Sequence, residues 1–182
     1  GDWSSDVCSS DLRYELGGET RERLFASICE NPNWCVELAL TYADAGLYAE
    51  AEEVLTAASD AGQHYPLVHY YLADFCERQG KQDAAARQRT AASSAPSDYC
   101  FPHRLEDLLV LNRALEKNPD DAKGWYYLGN LWYDKRQYAQ AIECWEHSRA
   151  LDGRFPTVHR NLALAYFNKC GRPDDALDEM EQ

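Results

Sequence analysis

A pattern of small and aromatic residues returns along this chain at a fixed interval, and that interval restricts the fold more than any other feature. Four segments superpose from Pro32, Pro66, Ala122 and Pro156, with steps of 34, 56 and 34 residues. The fourth position of each holds Cys35, His69, Trp125 and His159, and the seventh holds Leu38, Leu72, Leu128 and Leu162. The eighth holds Ala39, Ala73, Gly129 and Ala163, and the eleventh Tyr42, Cys76, Trp132 and Tyr166. Further on, Ala51, Ala85 and Ala141 occupy the twentieth position, and Leu55, Arg89 and Trp145 the twenty-fourth. In the last segment one inserted residue moves these two roles to Ala176 and Met180. A period of this length marks stacked helix-turn-helix units.

Helix geometry accounts for the pattern. Positions four, seven and eleven lie on one face at i, i+3 and i+7 spacing, so each first helix has one apolar side. Small residues at eight and twenty let two helices approach closely, because a large side chain there would hold their axes apart. Gly46 and Gly80 fall where a helix end needs a left-handed residue. Pro32, Pro66 and Pro156 stand at helix starts, where a missing N–H costs nothing, and Asp120 or Asp121 can cap the helix opening near Ala122. Arg89 departs from the pattern, placing a charge at a normally apolar position. That leaves its helix less well packed, or buttressed from outside.

The 56-residue step contains 22 residues beyond one period. Residues 93–102 are rich in Ser, Pro and Asp and read as a loop. Residues 103–117 carry Leu105, Leu108, Leu109, Leu111, Ala114 and Leu115 at helical spacing and predict one extra helix, placed where an ordinary second helix would sit. Another helix precedes the first unit, with Leu24, Phe25 and Ile28 as its apolar face. The expected layout is a leading helix over 13–31, two repeats over 32–95, a loop and extra helix over 96–121, and two repeats over 122–182, the last of them cut short.

The positions at four, seven, eight, eleven, twenty and twenty-four resemble those of the tetratricopeptide repeat, over about 150 of 182 residues. The third unit carries the likeness best, through Trp125, Leu128, Gly129, Trp132, Tyr138, Ala141 and Trp145. It departs at Ser148, where alanine is usual, and at Gly153, where proline is usual. The resemblance implies an all-α, right-handed helix-turn-helix repeat solenoid. It also implies that positions five, nine and twelve line a concave groove. Those positions hold Tyr70, Asp74 and Glu77 in the second unit, Tyr126, Asn130 and Tyr133 in the third, and Arg160, Leu164 and Phe167 in the fourth. Chaperone-tail clamps of this family use lysine at five and asparagine at nine. Asn130 and Asn161 suit such a clamp, but Tyr126 stands where the lysine belongs and most of the basic residues are absent, so tail binding is not expected.

Two further resemblances concern the chain's origin. The stretches FPHRLEDLLVLNRAL, DAKGWYYLGNLWYDKRQYAQAIECW and FPTVHRNLALAYFNK are similar to the C-terminal repeat region of large bacterial proteins that carry a domain of unknown function numbered 5107. In those proteins a β-rich upstream domain is associated with carbohydrate-related roles. The resemblance implies a bacterial source and a larger parent of which this chain is a piece; the cysteine usage is what points to the cytoplasm. Residues 1–12, GDWSSDVCSSDL, resemble the conceptual translation of a short-read sequencing adapter, so Trp3, Cys8 and the three acids Asp2, Asp6 and Asp11 carry no functional argument.

Charge and motif content exclude several function classes. The net charge is −13, and −10 without the three acids of residues 1–12. An acidic balance opposes binding to nucleic-acid phosphates and to anionic membrane surfaces. No run of apolar residues is long enough for a transmembrane helix. Seven cysteines, an odd number with no CxxC pair, read as reduced and mostly buried thiols. His64 and His69 form no HExxH pair, and His69 and His159 sit at a core position of the repeat. No phosphate loop, GxSxG elbow or SxxK occurs. Glu52–Glu53, Asp120–Asp121 and Asp174–Asp175 suit helix starts or solvated faces. No catalytic residue, metal or cofactor is expected. The expected function is binding a protein, peptide or helix in the groove; the alternative is a structural arm packed on the parent's upstream domain.

Overall fold

The computed structural model describes residues 31–60 and 65–182, together with Gly17, Thr20, Arg23 and Leu24. The adapter-like stretch, most of the leading helix, His64, Cys8 and Cys29 lie outside the described residues. The described residues contain helices and no strand. They fall into two compact units, Gly1–Pro96 and Ser97–Gln182. The first holds α1 (Pro32–Asp44), α2 (Tyr48–Asp60), α3 (Pro66–Arg78) and α4 (Gln82–Ser94). The second holds α5 (Leu105–Lys117), α6 (Ala122–Asp134), α7 (Tyr138–Leu151), α8 (Pro156–Ala165), a π-helical turn (Tyr166–Cys170) and α9 (Pro173–Met180). The fold class is the all-α helical-repeat solenoid.

Helices α1, α3, α6 and α8 begin at the first position of each repeat. Asn31 caps α1, its Oδ1 accepting from Asn33 N at 2.9 Å, and Asp121 caps α6, its Oδ1 accepting from Gly124 N at 3.0 Å. Each cap satisfies an N–H that the first helical turn leaves without a partner. The expected extra helix begins at Leu105 rather than at residue 103. There the buried carboxylate of Asp107 accepts from His103 N at 2.8 Å and Arg104 N at 2.9 Å, which holds both residues outside the first turn. The loop expected from residue 93 begins later, because α4 runs to Ser94. Ser93 and Ser94 donate their hydroxyls to Thr90 O, at 3.1 and 2.8 Å, and stay helical.

Within each repeat the chain turns back by one device. The carbonyl of position eleven accepts an N–H from the residue that precedes the second helix. Leu47 N reaches Tyr42 O, Lys81 N reaches Cys76 O and Gln137 N reaches Trp132 O, each at 2.9 Å, while Arg172 N reaches Tyr166 O at 3.0 Å. The residue before each donor is left-handed: Gly46 at φ 81°, Gly80 at 77°, Arg136 at 60° and Gly171 at 62°. This is the closing geometry that glycine adopts most easily. The inserted residue of the last repeat is absorbed in the π-helical turn Tyr166–Cys170, where one widened turn accommodates one extra residue. The second helices therefore keep their register.

The leucines at seven and the small residues at eight and twenty are buried in all four repeats. Gly129 shows the packing limit most sharply. A Cβ there would stand 2.5 Å from Cδ1 and Nε1 of Trp145 and 3.1 Å from Ala141 O.

Expectations at core positions need correction for Met180 and for Trp125 and Trp132. Met180 is 66% exposed; Glu179 turns inward instead, held by Arg149 and by His159. Trp125 and Trp132 are half-buried rather than core. Trp125 stacks on His147 with ring centroids 4.8 Å apart and donates its N–H to Pro119 O at 2.8 Å, so its polar edge stays near the surface. Arg89 pairs with Glu77 of its own repeat, and α4 is lightly packed, with only Ala85 and Ala92 buried.

The departures at Ser148 and Gly153 also acquire partners. Ser148 Oγ donates to Ala122 O at 2.6 Å, and Gly153 O lies 3.0 Å from His159 Nε2. Cys35, Cys76, Cys100 and Cys144 are buried and unbridged, while Cys170 is exposed. Burial pushes the Cys76 thiol up to about 11 and the Cys144 thiol up to about 12.

Candidate functional site

The second unit contains an open recess of about 310 Å³. Helix α6 contributes Tyr126, Asn130 and Tyr133 to its wall, residues spaced i, i+4 and i+7 and so facing one side of a helix. Arg160, Asn161 and Leu164 of α8 form the opposite wall. Trp145 of α7 closes the floor, and Phe101, from the loop ahead of α5, stands at the edge with Asp134.

Five of the nine residues expected to line a groove meet in this recess: Tyr126, Asn130, Tyr133, Arg160 and Leu164. Phe167 does not line it and stands exposed in the π-helical turn. Tyr126 is largely buried, its ring packed against Phe155 and Tyr127 at centroid distances of 4.8 and 5.3 Å. Only part of it therefore meets the recess.

The remaining three, Tyr70, Asp74 and Glu77, belong to the first unit. Residues 66–76 of α3 are buried throughout, and Tyr70 is only 1% exposed, so this position is a packing position in the second repeat and not an open wall. Asp74 accepts from Arg78 Nε at 2.8 Å, and the same guanidinium donates to Tyr48 Oη at 3.1 Å. Glu77 is engaged by Arg89. In the same unit Glu52 is held below the usual carboxylate range. Burial pushes it up, but donation from Lys81 at 2.7 Å and Gln79 at 2.6 Å outweighs burial. These charges satisfy one another and leave little to offer a ligand.

Polar groups of the recess form a directed chain. Arg160 Nη2 donates to Asn161 Oδ1 at 3.4 Å, and Asn161 Nδ2 donates to Asn130 Oδ1 at 3.1 Å. Trp145 Nε1 donates to the same Asn130 oxygen at 3.2 Å and to Tyr126 O at 3.3 Å. Tyr133 lies against the Trp145 ring, centroids 5.4 Å apart. Trp145 reads from sequence as an ordinary core residue, and its part in this chain is the main feature that repeat register alone does not reveal. The available signal is an indole, whose N–H needs an acceptor, at a position that a phenyl ring would fill equally well.

Among the described residues no group of three or more His, Cys, Asp or Glu side chains could hold a metal ion. No described helix is long and apolar enough to cross a membrane.

Comparison with known proteins falls on the same repeats. Two tetratricopeptide-repeat models match, one over residues 36–98 and one over residues 122–155. A cytochrome c-type biogenesis protein, CycH of Pseudomonas aeruginosa, is 35% identical over 72 residues, which is 39% of this chain. The chain spans only 18% of that protein's length. Among solved structures, MamA from Desulfovibrio magneticus is 17% identical with a TM-score of 0.44, over 100% of this chain and 93% of that one. YrrB, described as a tetratricopeptide-repeat protein with an unusual peptide-binding site, is 16% identical with a TM-score of 0.42, over 96% and 81%. With helix pairs in the 34-residue register and family matches on the first three of them, the chain belongs to the tetratricopeptide-repeat family.

Proposed function

We propose that this chain is a non-catalytic binding module that holds an extended peptide or a helix in the recess between α6 and α8. The observation that carries this reading is the recess itself. Aromatic and aliphatic surface from Tyr133, Leu164 and Phe101 surrounds hydrogen-bonding groups of Asn130, Asn161 and Arg160. Sites of this make-up bind through apolar anchors and select through a few placed polar groups. Tetratricopeptide repeats bind proteins or peptides, which agrees with such a site.

The test is selection of peptides from a random displayed library on the intact chain. Selected peptides are expected to lose binding to a variant carrying Arg160→Ala and Leu164→Ser, both exposed positions whose replacement spares the core. Equal binding to both chains would remove the recess as the site.

The likeness of residues 101–169 to the repeat region of the bacterial domain-5107 proteins supports a second occupant, an upstream β-rich domain of the same polypeptide. Co-purification of that domain with the repeats, supplied as separate chains, tests it; failure to associate would exclude it.

A further inference from the structure

Among the described helices, α5 stands in the place of a second helix but follows no first helix. Each of α2, α4, α7 and α9 is reached from a first helix through a turn, whereas α5 is reached from residues 95–104. Its buried side carries Asp107, Val110, Leu111, Ala114 and Leu115, and the helix packs on α6. The opposite side carries Leu105, Leu109, Asn112 and Glu116, at i, i+4, i+7 and i+11, and all four are exposed. Tyr99 and Phe101 add aromatic surface just ahead of the helix, and Phe101 also stands at the edge of the recess. Four of the ten large apolar side chains that stand exposed among the described residues thus fall within residues 99–109, at 48% to 88% exposure.

The charged residues beside this face are complementary to a second copy of themselves. Glu106 and Arg113 stand seven residues apart, on one flank of the face. In an antiparallel pair of α5 helices centred near Leu109, equal flanks meet, and Glu106 of each helix comes beside Arg113 of the other. A parallel pair in register would set like charge beside like. Helix α5 holds three acids, Glu106, Asp107 and Glu116, and two bases, Arg113 and Lys117, a net −1 in a chain of net −13. Two copies that meet here face little of the chain's self-repulsion.

The size of the face suits the same partner. Tyr99, Phe101, Leu105 and Leu109 present on the order of 400 Å² of apolar surface, an amount that marks interaction sites. Covering most of it in both copies removes about 600 Å², and since interfaces are a little over half apolar, the whole contact comes to about 1,000 Å². Specific interfaces begin at that size, and a weak, reversible dimer fits it.

We propose that the outer face of α5 is a self-association surface, through which two copies of the chain pair as an antiparallel, two-fold symmetric dimer. A two-fold contact lets one patch serve both partners. Burial of Leu105, Leu109 and the aromatics supplies the attraction. The Glu106–Arg113 pairs, worth little alone as surface pairs, fix the direction.

The test is analytical ultracentrifugation of the whole chain from about 5 to about 500 μM, a range suited to an interface of this size. Monomer is expected at the bottom of the range and dimer at the top. Leu109→Asp, at an exposed position, is expected to keep the chain monomeric throughout, with unchanged helical circular dichroism. Glu106→Arg is expected to raise the dissociation constant about tenfold, and adding Arg113→Glu to the same chain is expected to restore it. Within one helix these two residues stand about 10 Å apart along the axis, so restoration reports contact between copies. Leu109 and Glu106 are both exposed, so these two changes decide the matter even where Arg113→Glu disturbs its own chain.

A chain still monomeric at about 500 μM would overturn the proposal and leave the face to a helix of another protein. So would a dimer indifferent to Leu109→Asp, assemblies larger than a dimer, or a Glu106→Arg variant that associates as the parent does.

Discussion

Nδ1 of His159 lies 2.7 Å from Oε2 of Glu179, joining the first and second helices of the last repeat where both residues are buried. The same two repeat positions meet in the second repeat, where His69 Nδ1 lies 2.8 Å from Gln88 Oε1. A histidine at position four thus finds an oxygen at position twenty-three in both repeats that carry one. The last repeat adds Arg149 on the second carboxylate oxygen and Gly153 O on the other ring nitrogen. Removing Glu179 leaves Nδ1 of the buried His159 without its oxygen, while Arg149, 37% exposed, can turn to solvent. Glu179→Ala is expected to destabilise the second unit by about 2–4 kcal/mol, read from urea denaturation. Glu179→Gln keeps an oxygen for the histidine, as Gln88 does, and should cost about 1 kcal/mol. Equal losses for the two variants would show that the contact does not depend on the oxygen.

Gly129 and Trp145 form a coupled pair. Gly129→Ala places a methyl against the indole and against the fixed carbonyl of Ala141. Overpacking of this kind costs about 1–3 kcal/mol. In a background of Trp145→Phe the cost should fall, because the indole nitrogen edge is gone. A double-mutant cycle on urea midpoints measures the difference, and strict additivity would refute the coupling.

Arg136 adopts the left-handed conformation that glycine occupies in the other three repeats. A side chain in that region costs about 1–2 kcal/mol. Arg136→Gly is therefore expected to stabilise the chain by about 1 kcal/mol, partly offset by the greater freedom of glycine when unfolded. Gly80→Arg, at the matching place in the second repeat, should destabilise by a similar amount. Thermal unfolding of both variants checks the pair of opposite signs.

The π-helical turn follows from one extra residue. Deleting Asn168 brings Gly171 to the spacing of Gly46 and Gly80 relative to position eleven. An ordinary α-helical turn should then close the repeat. The variant is expected to keep its helical circular dichroism and cooperative unfolding, with a midpoint no lower than that of the parent. A one-residue deletion inside α3, which is buried from Pro66 to Cys76, should abolish cooperative unfolding. Similar behaviour of the two deletions would contradict the assignment of the insertion to the turn.

Two buried thiols make stability depend on alkaline pH. The ordinary value is 9.0; burial raises Cys76 to about 11, aided by the Glu52 carboxylate, and Cys144 to about 12, aided by Glu143. Below pH 9 both folded and unfolded chains keep these protons. From there to about pH 11–12 the unfolded chain ionises its thiols while the folded chain does not, so stability falls as pH rises. The urea midpoint of the parent is expected to drop more steeply across this window than that of a Cys76→Ala, Cys144→Ala variant. Parallel curves would remove the thiols as the cause.

Much of the fold was legible because the repeat signal comes from packing rules that act over short distances. A leucine at seven, a small residue at eight and another at twenty are needed wherever two helices touch this closely, so the four helix starts could be read from residue types alone. Met180 misled because residue type and spacing describe a helix face but not what competes for it; the buried pairing of Glu179 with His159 and Arg149 won that place. The partner of Arg89 was hidden for a related reason. Glu77 lies twelve residues away on another helix, and no local pattern links the two. In the candidate site, register pointed to the wall residues Asn130, Tyr133, Arg160 and Leu164. It also pointed to Tyr70, which is only 1% exposed.

What the sequence determined by itself was therefore the unit: its length, its two helices, its glycine turn and the inserted residue in its last copy. These depend on backbone conformation and on contacts within one helix pair, which residue order encodes directly. Only the tertiary structure decided which polar groups are already satisfied and which face outward. Asn130 shows the difference. Its identity was plain, but the direction of its amide depends on an indole N–H fifteen residues away and a second asparagine thirty-one residues away. Hydrogen-bond direction is a property of three-dimensional neighbours, and the chemistry of the recess follows from it.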